Sequence, residues 1–169
     1  MSKVYLSIGS NIGDRYENCN EAVRLVGGTQ GIEIQRVSSL YLTKPVGGPP
    51  NQREYMNGVV EMETVLLPEA CLDVLKDIEK QMGRTPAEKD HPRIIDIDIL
   101  FYDSLVMEEP DLIIPHPGAH TREFVLRGLN ELAPDMVHPY MGATMAELYA
   151  SVKGESEVGS RRSNVGRTT

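Results

Sequence analysis

The sequence predicts an α+β fold in which strands and helices follow the order βαββαβ, with further elements added at the C-terminus. Two observations predict it. Four segments alternate apolar and polar residues with the period of two that is typical of strands, and two segments repeat apolar residues every three or four positions, as helices do. This order of elements favours an antiparallel sheet with both helices packed on one face.

The first half of the chain supplies a strand, a helix and a second strand. Val4–Ile8 alternates as a strand, and the turn after it leads to Asp14, which is a suitable N-cap for a helix. Gly27–Gly28 ends this helix. The second strand is predicted over Ile32–Leu42, and a change of phase in its alternation after Ile34 predicts a β-bulge.

The third and fourth strands flank the second helix. The loop over 44–52 is rich in proline and glycine and longer than a tight hairpin needs, and such loops often close over substrates. Tyr55–Leu66 follows as the third strand, and Pro68 suits the first position of a helix that Gly83 ends. After a polar loop, Ile94–Tyr102 has the strongest strand pattern in the chain.

The remainder of the chain is predicted to add shorter elements to this sheet. Leu112–Ile114 has the pattern of a short strand, Glu123–Leu132 has that of a helix, and Thr144 opens the capping box of a last helix. Residues 154–169 contain almost nothing apolar, so we expect a disordered tail after a single domain over 1–153. The complete order is the ferredoxin-like, split βαβ arrangement, which hosts many activities and does not by itself indicate function.

Composition restricts the function classes. The formal net charge is −8, which argues against nucleic-acid binding because that needs a basic face. No apolar run is long enough to cross a membrane, and Met1–Tyr5 enters a strand pattern without an export leader, so we expect a cytoplasmic chain. Cys19 and Cys71 are expected to be buried free thiols. We also expect a monomer with no nucleic-acid or membrane partner.

The fourth predicted strand carries a pair of carboxylates. Asp96 and Asp98 are two residues apart, so both point to one face while the neighbouring isoleucines point to the other. Two carboxylates on one face of a central strand repel each other and lose water, so they need a compensating cation. Mg²⁺ bound by one or two carboxylates and by substrate phosphates would supply it, and two such ions would also fit. A solvated sheet face with salt bridges to arginine is the alternative interpretation.

Arginines surround the carboxylate pair along the chain. Arg84 and Arg93 bracket the loop that leads into the fourth strand, and Arg122 lies beyond His116. Guanidinium groups bind phosphate oxygens in bidentate fashion, so these arginines together indicate a polyphosphate held on a metal ion. Taken singly, each arginine is better explained as an ordinary surface residue.

Two further pairs of side chains are candidates for binding. Tyr55 and Asn57 share one face of the third strand, where a ring and an amide would suit a flat heterocycle, although Tyr55 could equally close the sheet edge. His116 and His120 lie four residues apart with Glu123 nearby, a spacing similar to that of a zinc helix. The prolines on either side of His116 argue against a regular helix there, so zinc is disfavoured.

These motifs together resemble the 6-hydroxymethyl-7,8-dihydropterin pyrophosphokinase family of folate biosynthesis. The resemblance covers about Val4 to Val152 and is carried by the segments Leu6–Asp14, Val37–Ser39 with Tyr41 and Thr43, Tyr55–Asn57, Glu79 with Gly83–Arg84, Pro92–Ile99, Pro115–Pro117, Arg122–Leu126 and Glu131–Pro134. The Pro-Arg-x-x-Asp-x-Asp-Ile segment, with Pro-His-Pro and Arg-x-Phe, is highly specific. Thr85–His91 lacks the second arginine and the tryptophan that many members carry there.

The resemblance implies an ATP-dependent diphosphotransferase with a divided site. Asp96 and Asp98 would ligate Mg²⁺, expected as two ions, and would act in catalysis with Arg84 and Arg93. The residues implied to bind ATP are Glu79, Arg84, Arg93, Ile99, His116 and Arg122. The residues implied to hold the pterin are Thr43, Val46, Tyr55, Asn57, Asp96 and Phe124.

The implied reaction transfers the diphosphate of ATP to the pterin hydroxymethyl group and releases AMP. Such transfer asks a protein mainly for positioning and charge neutralisation, which metal ions and arginines supply. Two other classes stay open: another Mg²⁺-dependent phosphotransferase on the same fold, and a non-catalytic module that binds pterin or nucleotide. Only diphosphate transfer yields AMP, which separates the implied reaction from that of another phosphotransferase.

Overall fold

The computed structural model of the chain describes residues 1–45, 50–84 and 92–153, together with the backbone of 157–161. The strands are β1 (Ser2–Ser10), β2 (Ile32–Val37), β3 (Leu40–Thr43), β4 (Tyr55–Thr64), β5 (Asp96–Tyr102), β6 (Met107–Glu109), β7 (Leu112–Ile114) and β8 (Glu157–Arg161). The helices are α1 (Arg15–Gly27), α2 (Pro68–Gln81), α3 (Glu123–Leu132) and α4 (Met145–Val152).

The main sheet is antiparallel and runs in the order β5-β1-β4-β3-β8, with β2 also paired to β4. β1 pairs along its whole length with β4, from Ser2 opposite Thr64 to Ser10 opposite Met56, and on its other side with β5. The first strand of the βαββαβ unit therefore lies between the third and the last, which is the predicted ferredoxin-like arrangement. β6 and β7 form a separate hairpin.

Helices pack on both faces of the sheet because β1 alternates apolar side chains in both directions. Leu6 and Ile8 point into a core cluster shared with α1 and α2. Tyr5 points into a second cluster, which α3 and α4 share with Val59 of β4. The second face is covered only at the Tyr5 end. Its other end, which carries Gly9, is left open and forms the floor of a cavity.

Local signals in the sequence place the helix ends correctly. The Asp14 carboxylate accepts a hydrogen bond of 3.1 Å from Glu17 N, which makes it the N-cap of α1. Thr144 and Glu147 form the predicted capping box of α4, with both reciprocal hydrogen bonds present. The predicted bulge is confirmed by a shift in the β2–β4 register between Ile34 and Arg36. Cys19 and Cys71 are free and buried, as predicted.

The second predicted strand, Ile32–Leu42, is wrong as one continuous element. It divides into β2 and β3 at Ser38, because Ser38 turns both polar groups toward one residue of β4. Its backbone N–H donates to Val59 O at 2.9 Å, and its Oγ accepts from Val59 N at 2.8 Å. The fourth predicted strand also begins later, at Asp96 instead of Ile94.

The structure adds two strands that the sequence did not predict. Met107–Glu109 has almost no strand pattern and is a strand only because it pairs with β7. Glu157–Arg161, within the tail expected to be disordered, forms β8 against β3. An edge strand offers unpaired backbone groups that accept a partner almost irrespective of its side chains. This pairing explains why 157–161 forms a strand where we expected disorder. The rest of the tail lies outside the described residues.

In the described part of the chain, no helix is long and apolar enough to span a bilayer.

Candidate active site

The open end of the second sheet face forms a cavity of about 700 Å³. β1, β4 and β5 contribute its floor, and the end of α2 and the segment leading into α3 contribute its walls. The predicted site residues that line it are Thr43, Tyr55, Asn57, Glu79, Arg84, Arg93, Asp96, Asp98, His116, Arg122 and Phe124. Residues far apart in sequence are therefore brought to one site.

β5 presents the two carboxylates to this cavity. Asp96 and Asp98 both line it, while Ile97 and Ile99 point into the core cluster on the opposite face. In the β1–β5 register, Asp96 lies opposite Gly9, a residue without a side chain. The floor beside the first carboxylate is therefore open to a ligand.

Arg84 and Arg93 lie against Asp96. Arg84 Nη1 is 2.6 Å from Glu79 Oε1 and 3.2 Å from Asp96 Oδ1, and Arg93 Nη1 is 3.5 Å from the same aspartate oxygen. Glu79 also accepts a hydrogen bond of 2.7 Å from Ile97 N. Glu79 thus connects the end of α2 to β5 and positions Arg84. The alternative interpretation of the carboxylate pair was a sheet face with salt bridges to arginine. Such salt bridges are present at Asp96. Among the described residues, Asp98 forms none.

The crowded charges shift the pKa values of the groups around the carboxylates. Burial, together with the negative charges of Asp96 and Glu79, raises the pKa of Asp98 to about 7. Burial also raises the pKa of Glu79, although Arg84 opposes this shift. The pKa of His116 is lowered by burial and by the positive charge of Arg122. A cation bound at Asp98 would therefore offset the repulsion between its carboxylate and those of Asp96 and Glu79.

The donor set of β5 fits Mg²⁺. Magnesium takes hard oxygen ligands, commonly one or two carboxylates, with substrate phosphates and water completing its octahedron. Asp96 and Asp98 supply two such carboxylates on one strand face. Within the described ranges, no group of three or more His, Cys, Asp or Glu side chains could hold a metal ion. The arrangement suits an ion whose remaining ligands come from a phosphorylated substrate.

His116 and Arg122 occupy the segment between β7 and α3. His116 N donates to Leu100 O at 2.9 Å, and its Nδ1 accepts from Gly118 N at 2.9 Å. In the neutral ring the proton therefore lies on Nε2, which is left as a donor. Arg122 packs over Gly118, where an added Cβ would lie 2.6 Å from Arg122 Nε. The glycine lets the guanidinium lie close to the backbone.

The other end of the cavity has aromatic and amide groups instead of charges. Tyr55 and Phe124 line it, together with Asn57 and Thr43, which are 7% and 2% exposed. Asn57 Nδ2 donates to Thr43 Oγ1 across the β3–β4 pair. The Asn57 Oδ1 faces Gly9, where an added Cβ would lie 2.6 Å away. A fixed amide beside two rings is suited to a flat heterocycle with polar edges.

Asn11 is a residue whose role was missed from the sequence. It is 2% exposed, and its Oδ1 accepts from Arg93 N at 2.8 Å while its own N–H donates to Arg93 O at 3.1 Å. Its Nδ2 donates to Gln52 Oε1 at 2.8 Å and to Arg53 O at 3.3 Å. Asn11 therefore connects the end of β1 to two segments that enter the cavity. An asparagine directly after the first predicted strand was the available signal in the sequence.

The remaining predicted residues lie outside the main cavity or outside the described residues. Ile99 lines a smaller neighbouring cavity of about 240 Å³ that also contacts Asp98 and His116. Val46 lies outside the described residues, as does the Thr85–His91 segment. Lys76 of α2 also lines the main cavity and was not predicted to do so; its spacing of three from Glu79, which places both on one helix face, was the available signal.

Comparison with known proteins identifies the family. The family model described as 7,8-dihydro-6-hydroxymethylpterin-pyrophosphokinase (HPPK) matches residues 5–134. The chain belongs to this family. The matched range includes every predicted site residue, from Thr43 to Phe124.

Curated relatives and solved structures of HPPK proteins agree with this assignment. The chain is 39% identical over 147 residues to the 2-amino-4-hydroxy-6-hydroxymethyldihydropteridine pyrophosphokinase of Synechocystis sp., covering 87% of this chain and 74% of that protein. It is 43% identical over 143 residues to the folic acid synthesis protein fol1 of Schizosaccharomyces pombe, covering 85% of this chain but only 19% of the relative. The chain thus spans about a fifth of the length of some relatives that it matches.

The fold has a solved counterpart. A crystal structure of wild-type Plasmodium falciparum HPPK-DHPS with pteroate superimposes with a TM-score of 0.73 at 17% identity, over 92% of this chain and 47% of that one. At this identity the likeness supports the fold, and the HPPK assignment rests on the sequence matches.

Proposed function

We propose that the chain transfers diphosphate from ATP to 6-hydroxymethyl-7,8-dihydropterin, giving AMP and the pterin diphosphate in folate biosynthesis. Its membership of the HPPK family and the names of relatives that are pyrophosphokinases support this reaction. The observation that carries it is the division of one cavity into a charged end around Asp96 and Asp98 and an aromatic end around Tyr55 and Asn57.

In the proposed reaction, the hydroxymethyl oxygen of the pterin bonds to the β-phosphorus of ATP. The bond between the β-phosphorus and the oxygen bridging to the α-phosphorus breaks, AMP leaves, and the hydroxyl proton passes to solvent. Positioning and charge neutralisation dominate such transfers. Arg84, Arg93, His116 and Arg122 would bind the phosphate oxygens, and Asn57 would hold the ring so that its hydroxymethyl group faces them.

Before ATP binds, Arg84 and Arg93 neutralise the Asp96 carboxylate. Arg84 and Arg93 each contact Asp96 Oδ1. An arriving triphosphate offers these guanidinium groups stronger bidentate partners, which would free the Asp96 carboxylate. Asp96 and Asp98 would then hold Mg²⁺, proposed as two ions, and bound magnesium would supply neutralisation of the phosphate charge. Glu79 and Ile99 would lie beside the nucleotide, and Val46 and Thr43 beside the pterin.

The decisive experiment incubates the chain with ATP, Mg²⁺ and the reduced hydroxymethyl pterin and separates the nucleotides by chromatography. We expect AMP to form in proportion to pterin diphosphate, and to stay at background without pterin. ADP as the product would point to a different phosphotransferase, and binding without turnover would point to a non-catalytic module. Either result would contradict the proposal.

We also propose that the chain acts as a monomer in the cytoplasm and that its domain ends near residue 153. Light scattering during gel filtration tests the first part, since a mass near twice 18.8 kDa would contradict it. Fractionation of expressing cells tests the location.

A further inference from the structure

Glu123 is a buried acidic residue to which the proposed reaction assigns no role. It is 3% exposed and lies in the first turn of α3, between Arg122 and Phe124. Neither of its carboxylate oxygens accepts a hydrogen bond from the described residues, although the residue lines the cavity. Buried carboxylate oxygens normally have hydrogen-bond donors, so these two oxygens offer acceptors to a molecule bound in the cavity.

The geometry of α3 indicates which end of the cavity Glu123 serves. Residues four and eight positions further along share its face of the helix. Both contact β3: the Arg127 guanidinium lies 4.4 Å from the centre of the Tyr41 ring, and Glu131 accepts a hydrogen bond of 2.5 Å from Tyr41 OH. This face of α3 is therefore directed toward β3.

β3 leads to the aromatic end of the cavity. Tyr41 pairs with Asn57, and Thr43 pairs with Tyr55. Glu123 does not join Asp96 and Asp98 in a shared set of carboxylates, because no three-member group of metal-binding side chains occurs in the described ranges. The face of α3 that carries Glu123 is therefore directed toward the end of the cavity that Tyr55 and Asn57 line.

A carboxylate at this place needs N–H donors from the ligand. The pterin ring has an exocyclic amino group next to a ring N–H, a donor pair with the spacing that carboxylates accept in bidentate fashion, and its dihydro ring adds a further N–H. We propose that Glu123 is a specificity-determining residue that accepts hydrogen bonds from the bound pterin, either from the amino group and the ring N–H beside it or from the dihydro N–H. This proposal rests on the proposed function and adds a recognition group to it.

The test uses three variants of the full chain. Glu123→Gln keeps the shape and removes the charge, and Glu123→Met keeps the volume and removes both oxygens. Asp111→Asn is the matched control, because it removes one exposed carboxylate from the rim of the same cavity. Pterin affinity is measured by calorimetry in the presence of Mg²⁺ and a non-hydrolysable ATP analogue, and KM is measured for both substrates.

We expect both Glu123 variants to weaken pterin binding by about tenfold or more, the usual effect of losing a hydrogen bond to a charged group. KM for ATP and the affinity of Asp111→Asn for pterin should change by less than about twofold, within the usual effect of a surface substitution. Ligand-free Glu123→Met should melt at or above the wild-type temperature, because it loses two buried oxygens that accept no hydrogen bond from the described residues. A purely structural residue would give a lower melting temperature with pterin affinity unchanged.

Two analogues identify the donor. A 2-oxo analogue lacks the amino group, and a fully oxidised pterin lacks the dihydro N–H. For the analogue that lacks the donor to Glu123, the wild type should lose affinity and the Met variant should lose none, as in a double-mutant cycle. Equal losses in both proteins for both analogues would overturn the proposal, as would an increase confined to KM for ATP. A wild type that binds pterin without releasing AMP would instead overturn the proposed function, and the calorimetric comparison would still test Glu123.

Discussion

At the scale of single residues, Asp96 and Asp98 differ in whether a positively charged side chain neutralises the carboxylate. Arg84 and Arg93 contact Asp96, whereas the pKa of Asp98 is raised to about 7 by burial and by neighbouring negative charge. Asp98→Asn should therefore lower kcat by at least about 100-fold, as expected for a lost group that stabilises transition-state charge. The same substitution should leave the melting temperature unchanged or raise it, because it removes repulsion. Turnover and thermal unfolding measured on one preparation check both parts.

The Mg²⁺ dependence of Asp98→Asn provides its control. If Asp98 ligates magnesium, the concentration that gives half-maximal activity must rise in the variant. Asp111→Asn, which changes an exposed charge in the same cavity, should leave it unchanged. Activity near wild type at saturating Mg²⁺ would show that Asp96 alone suffices.

His138 gives the fold a dependence on pH. Its side chain is 0% exposed, and its Nδ1 accepts from Tyr140 N at 3.4 Å and Met141 N at 3.3 Å. Burial, helped by His120, lowers the pKa of His138. The unfolded chain therefore binds a proton at His138 more readily than the folded chain does. The contribution of His138 to the free energy of unfolding is fully present above about pH 6.5. Below that pH the free energy of unfolding decreases by at most about 1.4 kcal/mol per pH unit.

Urea unfolding of wild type and His138→Asn between about pH 7.5 and about pH 5.5, the range that spans an unperturbed histidine pKa, measures this effect. Asparagine keeps an acceptor near the Nδ1 position and cannot titrate. We expect the variant to be less stable at the higher pH, since it leaves a gap beside Phe101, but to lose less stability on acidification. Identical losses in both proteins would assign the pH dependence to other groups.

At the scale of elements, the junction after β1 controls the charged end of the cavity. Asn11→Ala removes the hydrogen bonds that join Asn11 to Arg93 N, Gln52 Oε1 and Arg53 O. We expect the free energy of unfolding to fall by about 1–3 kcal/mol, because these polar groups lose buried partners. Displacement of Arg93 should also lower kcat/KM for ATP by about tenfold, the effect of losing one charge-assisted contact.

Asn18→Ala is the matched control for this junction. Asn18 Nδ2 donates to Ser10 Oγ at 3.2 Å and to Ile12 O at 2.8 Å, so it stabilises the same turn without contacting Arg93. It should lower stability and leave kcat/KM for ATP near wild type. Equal kinetic effects of the two variants would mean that Asn11 acts through the turn as a whole.

Elements with local signals were predictable from the sequence, and elements defined by their partners were not. The N-cap Asp14 and the capping box at Thr144 act within one turn, so sequence spacing was enough to find them. The break at Ser38 depends on Val59, which is distant in sequence. β6 and β8 exist because a strand edge lies beside them, and no local pattern records that edge.

The residues of the site also divide into those with a local signal in the sequence and those that depend on distant partners. Asp96 and Asp98 were found because a period of two fixes their shared face. Glu123 was noticed only for its distance from His116, and its burial became visible once α3 was packed against the sheet. The contact of Arg84 with Glu79 likewise joins the end of α2 to the loop after it and holds the Arg84 guanidinium beside Asp96.

At the scale of the whole molecule, the two core clusters determine where the chain can be shortened. Their buried apolar residues lie between Val4 and Leu148, and β8 contributes backbone pairing to the β3 edge. A chain ending at Lys153 keeps both clusters and loses only that pairing. It should unfold cooperatively with a melting temperature within about 4 °C of the full chain, the shift expected for a change below 1 kcal/mol.

A second truncation separates the tail from the domain. A chain ending at Ala143 also loses α4, whose Met145 and Leu148 are 0% and 9% exposed. Losing buried side chains of this size costs about 2–5 kcal/mol each, so this shorter chain should lose cooperative unfolding. The two truncations together decide the boundary. If the chain ending at Lys153 already melts without cooperativity, β8 is an integral strand of the domain, and the boundary near residue 153 is wrong.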